Sequence, residues 1–167
     1  MMTGWAIDDS ARLRTVTELG IGGDSPPDPA LDAIVAEAAA MSGMPIALVT
    51  AVGAEQQWFK ARVGTDLTGT PVDMAICAHV LAKGDALVIP DLAADARTIA
   101  NPLVTDAPNI RFYAGVPLVT DGQAVGTLCV LDTEPHEGFG PDKMGGLSKL
   151  ADMAMDALRR MGAAAQA

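Results

Sequence analysis

A chain of 167 residues that is 50% hydrophobic and 19% charged has the composition of one globular unit, outside the disordered and fibrous classes. Its 21 acidic and 11 basic side chains leave a net charge of −10, which repels phosphate backbones and anionic lipid heads and so disfavours nucleic acid and membrane surfaces as partners. No apolar run reaches the ~18 residues of a membrane span, and two cysteines supply neither a disulfide framework nor a structural zinc set.

The opening segment, MMTGWAIDDSARLR, carries acids where a secretory leader needs positive charge and then an apolar core, so a cytoplasmic location is expected. Residues 8–19 read as an amphipathic helix, with Leu13, Val16 and Leu19 at helical spacing and Gly20 as its stop. The Gly- and Pro-rich stretch GIGGDSPPDP then closes an N-terminal unit of helix and linker over 1–27. The main domain is expected over 28–162. It opens with a helix capped by Asp28, with Pro29 in its first turn, a stripe of Leu31, Ile34, Val35 and Ala38, and Ser42-Gly43 at its end. MPIALVTAVG reads as a buried strand. EQQWFKARVG is its hairpin partner, placing Phe59, Ala61 and Val63 on one face and Trp58, Lys60 and Arg62 on the other.

TPVDMAICAHVLAKG predicts a helix capped by Thr70, with Pro71 at its first position and Gly84 at its close. ALVIPD is a short strand. The long connection LAADARTIANPLVTDAPN holds at most a turn or two of helix, and a loop of that length in a compact domain is usually functional. A β-hairpin about Asp121-Gly122 follows, then a helix over 141–161 and a disordered tail over 163–167. The order of elements gives an α+β domain built around a five-stranded antiparallel sheet.

With Asp121 and Gly122 as the turn, Ala114 sits opposite Cys129 and Val116 opposite Thr127, so Phe112 shares a face with Cys129 while Tyr113 takes the other. Pro117 cannot donate to a ladder; a bulge there would shift this register. Both faces are apolar and need covering. Cys129 reads as a small buried hydrophobe with a scarce thiolate, and the Tyr113 hydroxyl either enters a pocket or satisfies a backbone group. Cys77 and His79, two apart on a helix, point about 200° apart and cannot share one metal or proton. Asp91, Asp95, Arg97 and Asn101 either orient a polar ligand or bind a hard cation, or simply cap turns and pair with one another. The residues specify no metal set, no catalytic group and no particular cofactor. The last helix bears two overlapping apolar stripes, through Leu147, Leu150, Ala154 and Met161, wide enough to cover the sheet and still offer a dimer seam, with residues 8–19 as its companion.

The segments PIALVTAVGAEQQWFKARVG, ICAHVL, LVIPDLAADAR, NPLV, IRFYAGVPL and GQAVGTLCVLD together resemble a GAF domain, of the bacterial subgroup found ahead of histidine kinases, diguanylate cyclases and phosphodiesterases. The resemblance implies a five- or six-stranded antiparallel sheet with the terminal helices on one face. A helix over 72–82 and the loop 91–104 would cover a small-molecule pocket on the other. It departs from the subgroup at Thr98, where a Phe is usual, and at His136, where an Arg is common. The resemblance implies a sensory module that is not an enzyme. Its ligand is expected to touch Phe59, Cys77, His79, Asp91, Arg97, Phe112, Tyr113 and Cys129. With no output domain after Arg160, the signal is expected to pass through the terminal helices to a homodimer mate or a separate output protein. Three other readings stand beside it. One is a thiol redox enzyme or sensor, akin to the GAF-type methionine sulfoxide reductases, using Cys77 or Cys129. The others are a bilin-binding photoreceptor and a ligand-free dimerisation scaffold.

Overall fold

The computed structural model describes residues 4–166. Helix α1 (Ser10–Leu19) begins where the Asp9 carboxylate accepts from the Arg12 amide at 2.9 Å, and α2 (Pro29–Ser42) where Asp28 accepts from the Ala30 and Leu31 amides. Each carboxylate satisfies amides that a first helical turn leaves without partners, an effect of about 1 kcal/mol per cap. Gly43 ends α2 in the left-handed region, at φ 72°, where a Cβ would be strained.

Six strands form one sheet: β1 (Ile46–Val52), β2 (Gln56–Val63), β3 (Gly69–Pro71), β4 (Leu87–Ile89), β5 (Phe112–Thr120) and β6 (Gln123–Asp132). Their order is β3-β2-β1-β6-β5-β4, and every neighbouring pair is antiparallel. The residue pattern had room for five. The sixth, β3, takes Thr70 and Pro71, which the pattern assigns to the start of a helix. Pairing with Gln56–Trp58 holds this backbone extended, so a 3-10 turn over Val72–Met74 comes next and α3 is only Cys77–Lys83. After β4, the segment 91–111 contains α4 (Pro102–Thr105), capped by Asn101. The final helix, α5 (Pro141–Gln166), runs past the expected end, so residues 163–166 are helical rather than a disordered tail; residue 167 lies outside the described residues.

Both faces of the sheet are covered. Helices α2 and α5, with the inner side of α1, lie over Ala47, Val49, Phe112, Val116, Leu128 and Val130. Helix α3 and the segment 91–111 lie over Leu48, Val52, Tyr113, Cys129 and Leu131. The wide stripe of α5 enters this core, with Leu147, Ala154 and Leu158 at 0% exposure, each leucine contributing about 1.5–3 kcal/mol. Among the described residues, the large apolar side chain that α5 leaves outside is Met153. Among the described residues, no helix is long and apolar enough to cross a membrane.

Two bulges decide which side chains meet. In β2, Val49 pairs with Ala61 and Thr50 with Phe59, so Lys60 is the extra residue. Phe59 therefore faces α3 while Ala61 and Val63 face α2, and the three do not share a face as strict alternation requires. In β6, Leu118 pairs with Gly126 and Val119 with Ala124, leaving Val125 extra, one residue past Pro117. Cys129 accordingly sits opposite Gly115, not Ala114. It joins the face of Tyr113 and parts from Phe112.

The chain before α1 is strapped across the α3 side. The Trp5 amide donates to Leu81 O at 2.7 Å and its indole to Gly122 O at 3.2 Å. The completely buried Arg12 closes this strap, its guanidinium donating to the carbonyls of Ala6, Ile7, Val52, Gly53 and Ala124.

Candidate functional site

Polar side chains buried in an apolar interior cost free energy unless they are hydrogen-bonded, so where they gather marks the place with chemistry to offer. Under α3 they gather at the middle of the sheet. Thr50 of β1 and Thr127 of β6 bond through their hydroxyls at 3.0 Å, and the Thr127 amide donates to Thr50 Oγ1 at 3.1 Å. The strands approach this closely because residue 126 is glycine: a Cβ there would stand 1.8 Å from Thr50 O. From β2, Gln57 Nε2 donates to Thr70 Oγ1 at 2.7 Å, while its Oε1 accepts from the Cys77 thiol at 2.8 Å.

Tyr113 completes the cluster. Its ring lies over Gly115, where a Cβ would come within 2.5 Å of the hydroxyl, and Thr127 and Cys129 lie alongside. The hydroxyl is fully buried with Thr127 and Cys129 as its polar neighbours, and it forms no hydrogen bond of ordinary geometry with either, alone in this among the buried side-chain oxygens and nitrogens of the described residues. Burial drives its pKa well above the ordinary phenol value. Burial likewise pushes both thiols up to about 12, against partial relief from Thr50 and Thr127 at Cys77 and from Thr127 and Tyr113 at Cys129. At neutral pH both are protonated. Arg12, whose charge acts on Cys77, has its donors spent on carbonyls, and among the described residues no lysine or histidine bonds to the cluster.

Thr70 also lines a cleft of about 630 Å³ at the β3 edge of the sheet, together with Leu67, Gly69, Met74, Leu103 and Pro108. A single amide side chain, that of Gln57, links the cleft wall to the Cys77 thiol. Asn101 Nδ2 donates to Met74 O at 3.1 Å and pins the α4 loop to the 3-10 turn.

Of the eight residues expected around a ligand, the structure brings Cys77, Tyr113 and Cys129 together and sets Phe59 on the same face, toward its edge. His79 is half-buried on the outer side of α3 beside Asp95 and Arg97, and burial lowers its pKa, Arg97 adding to the effect. Arg97 is exposed and forms a two-pronged pair with Asp95, at 2.9 and 2.7 Å. Asp91 caps a turn through the Ala93 amide. Phe112 lies on the opposite face, in edge contact with His136. Its place among the ligand contacts is a correction forced by the β6 bulge. Thr50, Gln57, Thr70 and Thr127 were not foreseen. The signal available was a threonine interrupting each of two apolar runs, PIALVTAV and AVGTLCVL, at inward positions. No group of three or more histidine, cysteine or acidic side chains among the described residues is placed to hold a metal ion.

The GAF domain family model matches residues 26–158, and the chain belongs to that family. The cyclic di-GMP phosphodiesterase PA2567 of Pseudomonas aeruginosa is 34% identical over 149 residues, which are 89% of this chain but 25% of that protein, so the chain spans about a quarter of its relative's length. Among solved structures, the GAF domain of an Acinetobacter phosphoenolpyruvate-protein phosphotransferase superposes with a TM-score of 0.69 at 14% identity, covering 93% of this chain and 96% of that one. The type II free methionine-R-sulfoxide reductase of Thermoplasma acidophilum superposes with a TM-score of 0.64 at 16% identity, covering 78% and 90%. At these identities the two structures share the fold with this chain, and that alone.

Proposed function

We propose that the chain is a non-catalytic sensory module that takes a small molecule between the sheet and the 91–111 segment, entering by the cleft beside β3. Occupancy would be reported through α1 and α5 to a second copy or a separate output protein. The observation that carries the reading is the Tyr113 hydroxyl, without a hydrogen bond of ordinary geometry, in a buried polar cluster whose Gln57 reaches the cleft wall at Thr70. A ligand supplying an acceptor would relieve a cost of about 1–3 kcal/mol. The relative named as a cyclic di-GMP phosphodiesterase supports the role of an input module for an enzyme of signalling. Two protonated thiols with no base to activate them weigh against a sulfoxide reductase or thiol sensor, and a sealed Cys77 against attachment of a pigment. One observation favours a ligand-free scaffold instead: the Tyr113 ring fills the space over Gly115.

The test is a thermal-shift screen of the purified chain against small metabolites. A ligand at a hundred times its Kd raises stability by about 2.7 kcal/mol. Its effect should shrink in Tyr113→Phe and Thr70→Val. A screen in which nothing stabilises the parent chain decides for the scaffold.

A further inference from the structure

Lys60, the extra residue of the β2 bulge, is only 6% exposed, yet no carboxylate among the described residues pairs with it. Its ammonium donates to one neutral acceptor, Gly23 O in the linker between α1 and α2, at 2.7 Å. Burial lowers its pKa, and Asp24 offsets part of that effect from beyond ion-pair distance. A buried cation is stable when it is paired with an anion and its donors are filled, and here neither condition is met.

Two clefts meet at this lysine. The larger, about 350 Å³, borders Lys60 and Arg62, but Asp32 and Asp66 line it too and cancel their charge. The smaller, about 210 Å³, sets the same two bases beside the hydroxyl-bearing Ser25 and Thr68, against a single acid, Asp24. Local bonds bring these groups together. The Phe59 amide donates to Thr68 O at 2.9 Å, which folds the 64–68 loop back along β2. Arg62 Nε donates to Thr65 O at 3.2 Å, leaving both terminal nitrogens of the guanidinium without a partner among the described residues. The Lys60–Gly23 bond fastens the linker, and Ser25 with it, at the same edge.

We infer that the smaller cleft is a site for a phosphate group, carried by inorganic phosphate or by a small phosphate monoester. Two remaining N–H bonds of Lys60, the terminal nitrogens of Arg62 and the hydroxyls of Ser25 and Thr68 supply its donors. They come from three segments of chain, an arrangement that suits the several oxygens of a tetrahedral dianion better than the two of a planar carboxylate. A net charge of −10 repels anions from the surface at large, so a site for one has to gather bases locally, and here they outnumber the acid. The volume corresponds to about seven waters, enough for the ion and the first atoms of an ester. Bound there, the phosphate would tie Ser25 of the linker to Arg62 of β2 and so act on the joint between α1 and α2. The site shares no lining residue with the cleft beside β3 and stands independently of the proposed function.

An amide NMR titration of the full chain tests it, with sodium phosphate and separately with methyl phosphate, at fixed pH and with sodium chloride holding the ionic strength constant. Either probe is expected to move the amides of Ser25, Lys60, Arg62 and Thr68 along one saturating curve, with a Kd of about 1–10 mM, while those of Cys77, Tyr113 and Thr127 stay in place. Whichever probe binds tighter names the source. Lys60→Met and Arg62→Gln are each expected to weaken binding about tenfold or more, and Asp24→Asn, which removes the opposing acid, to tighten it at least about twofold. Arg62 is exposed, so its variant keeps the test alive should Lys60→Met fold poorly. Shifts that stay linear to about 100 mM with both probes overturn the inference. So does an Arg62→Gln chain that binds as the parent does, or an Asp24→Asn chain that binds no tighter. The thermal-shift screen reads ligands of the other site through Tyr113 and Thr70, so either idea can fail without the other.

Discussion

Arg12→Met keeps an unbranched side chain of similar reach and removes five N–H donors. Those donors meet Val52 O and Ile7 O at 2.7 Å, Ala6 O at 3.2 Å, Ala124 O at 3.4 Å and Gly53 O at 3.5 Å. The two short bonds are charge-assisted, worth about 1.5–3 kcal/mol each. Val52, Gly53 and Ala124 present their carbonyls in buried surroundings, where water cannot replace the guanidinium; the Ala6 and Ile7 contacts are only partly buried. Against this stands the cost of burying the cation, which also lowers its pKa. On balance, removing the cation from its cage should cost about 3–5 kcal/mol. A domain of this size loses about 2–4 °C per kcal/mol, so Tm should fall by roughly 6–20 °C. Arg12→Lys, with the charge and three donors, should fall between parent and methionine. The assay is thermal unfolding by circular dichroism together with Trp5 fluorescence in a Trp58→Phe background, which reports release of the strap apart from global melting. A methionine variant that melts within about 2 °C of the parent and keeps its Trp5 emission refutes the view that Arg12 holds this end of the molecule.

Both thiols, held protonated by burial with pKa near 12, should react with a maleimide at pH 8 far more slowly in the native protein than in urea; native labelling at the unfolded rate would contradict their burial. Tyr113→Phe removes an unpartnered hydroxyl and should leave stability equal or higher by up to about 2 kcal/mol in urea unfolding, whereas a loss beyond about 1 kcal/mol would mean the hydroxyl is bonded. The hydrogen bonds from Arg97, with its charge, hold Asp95 down at about 2, below its ordinary 3.8. What this pair contributes is therefore present above pH about 4 and is lost as pH falls through about 2. A carboxyl NMR titration of Arg97→Ala should show the Asp95 midpoint rising toward about 4, and an unmoved midpoint would count against the pairing.

The caps at Asp28 and Gly43, the first hairpin and the turn at Asp121-Gly122 were legible because each depends on residues within four positions of it. The short strand β3 was not. Its extended backbone is fixed by Gln56–Trp58, more than ten residues away, and Thr70-Pro71 locally suits a helix start equally well. The bulges at Lys60 and Val125 were hidden for a related reason. Either residue could continue its strand, and what excludes it is the pairing of its neighbours with β1 and β5. One slipped position moved Phe112 out of the site and brought Cys129 beside Tyr113. Cys77, Tyr113 and Cys129 could be named because sulfur and phenol stand out in an apolar run. Gln57 could not: alternation in EQQWFKARVG sets it on the face of Phe59, but a polar residue at the start of a strand gives no sign of its buried partners.

The Trp5–Leu81 and Trp5–Gly122 bonds give the domain an unusual kind of wiring. The segment they fasten turns the corner of the molecule and becomes α1 without a break, so the shell over the thiols and the outer helical layer share a single piece of covalent chain. A shift of α3 by an ångström can then pull on α1 from outside, like a cord run round the rim of a drum, while the taut membrane of the sheet stays still.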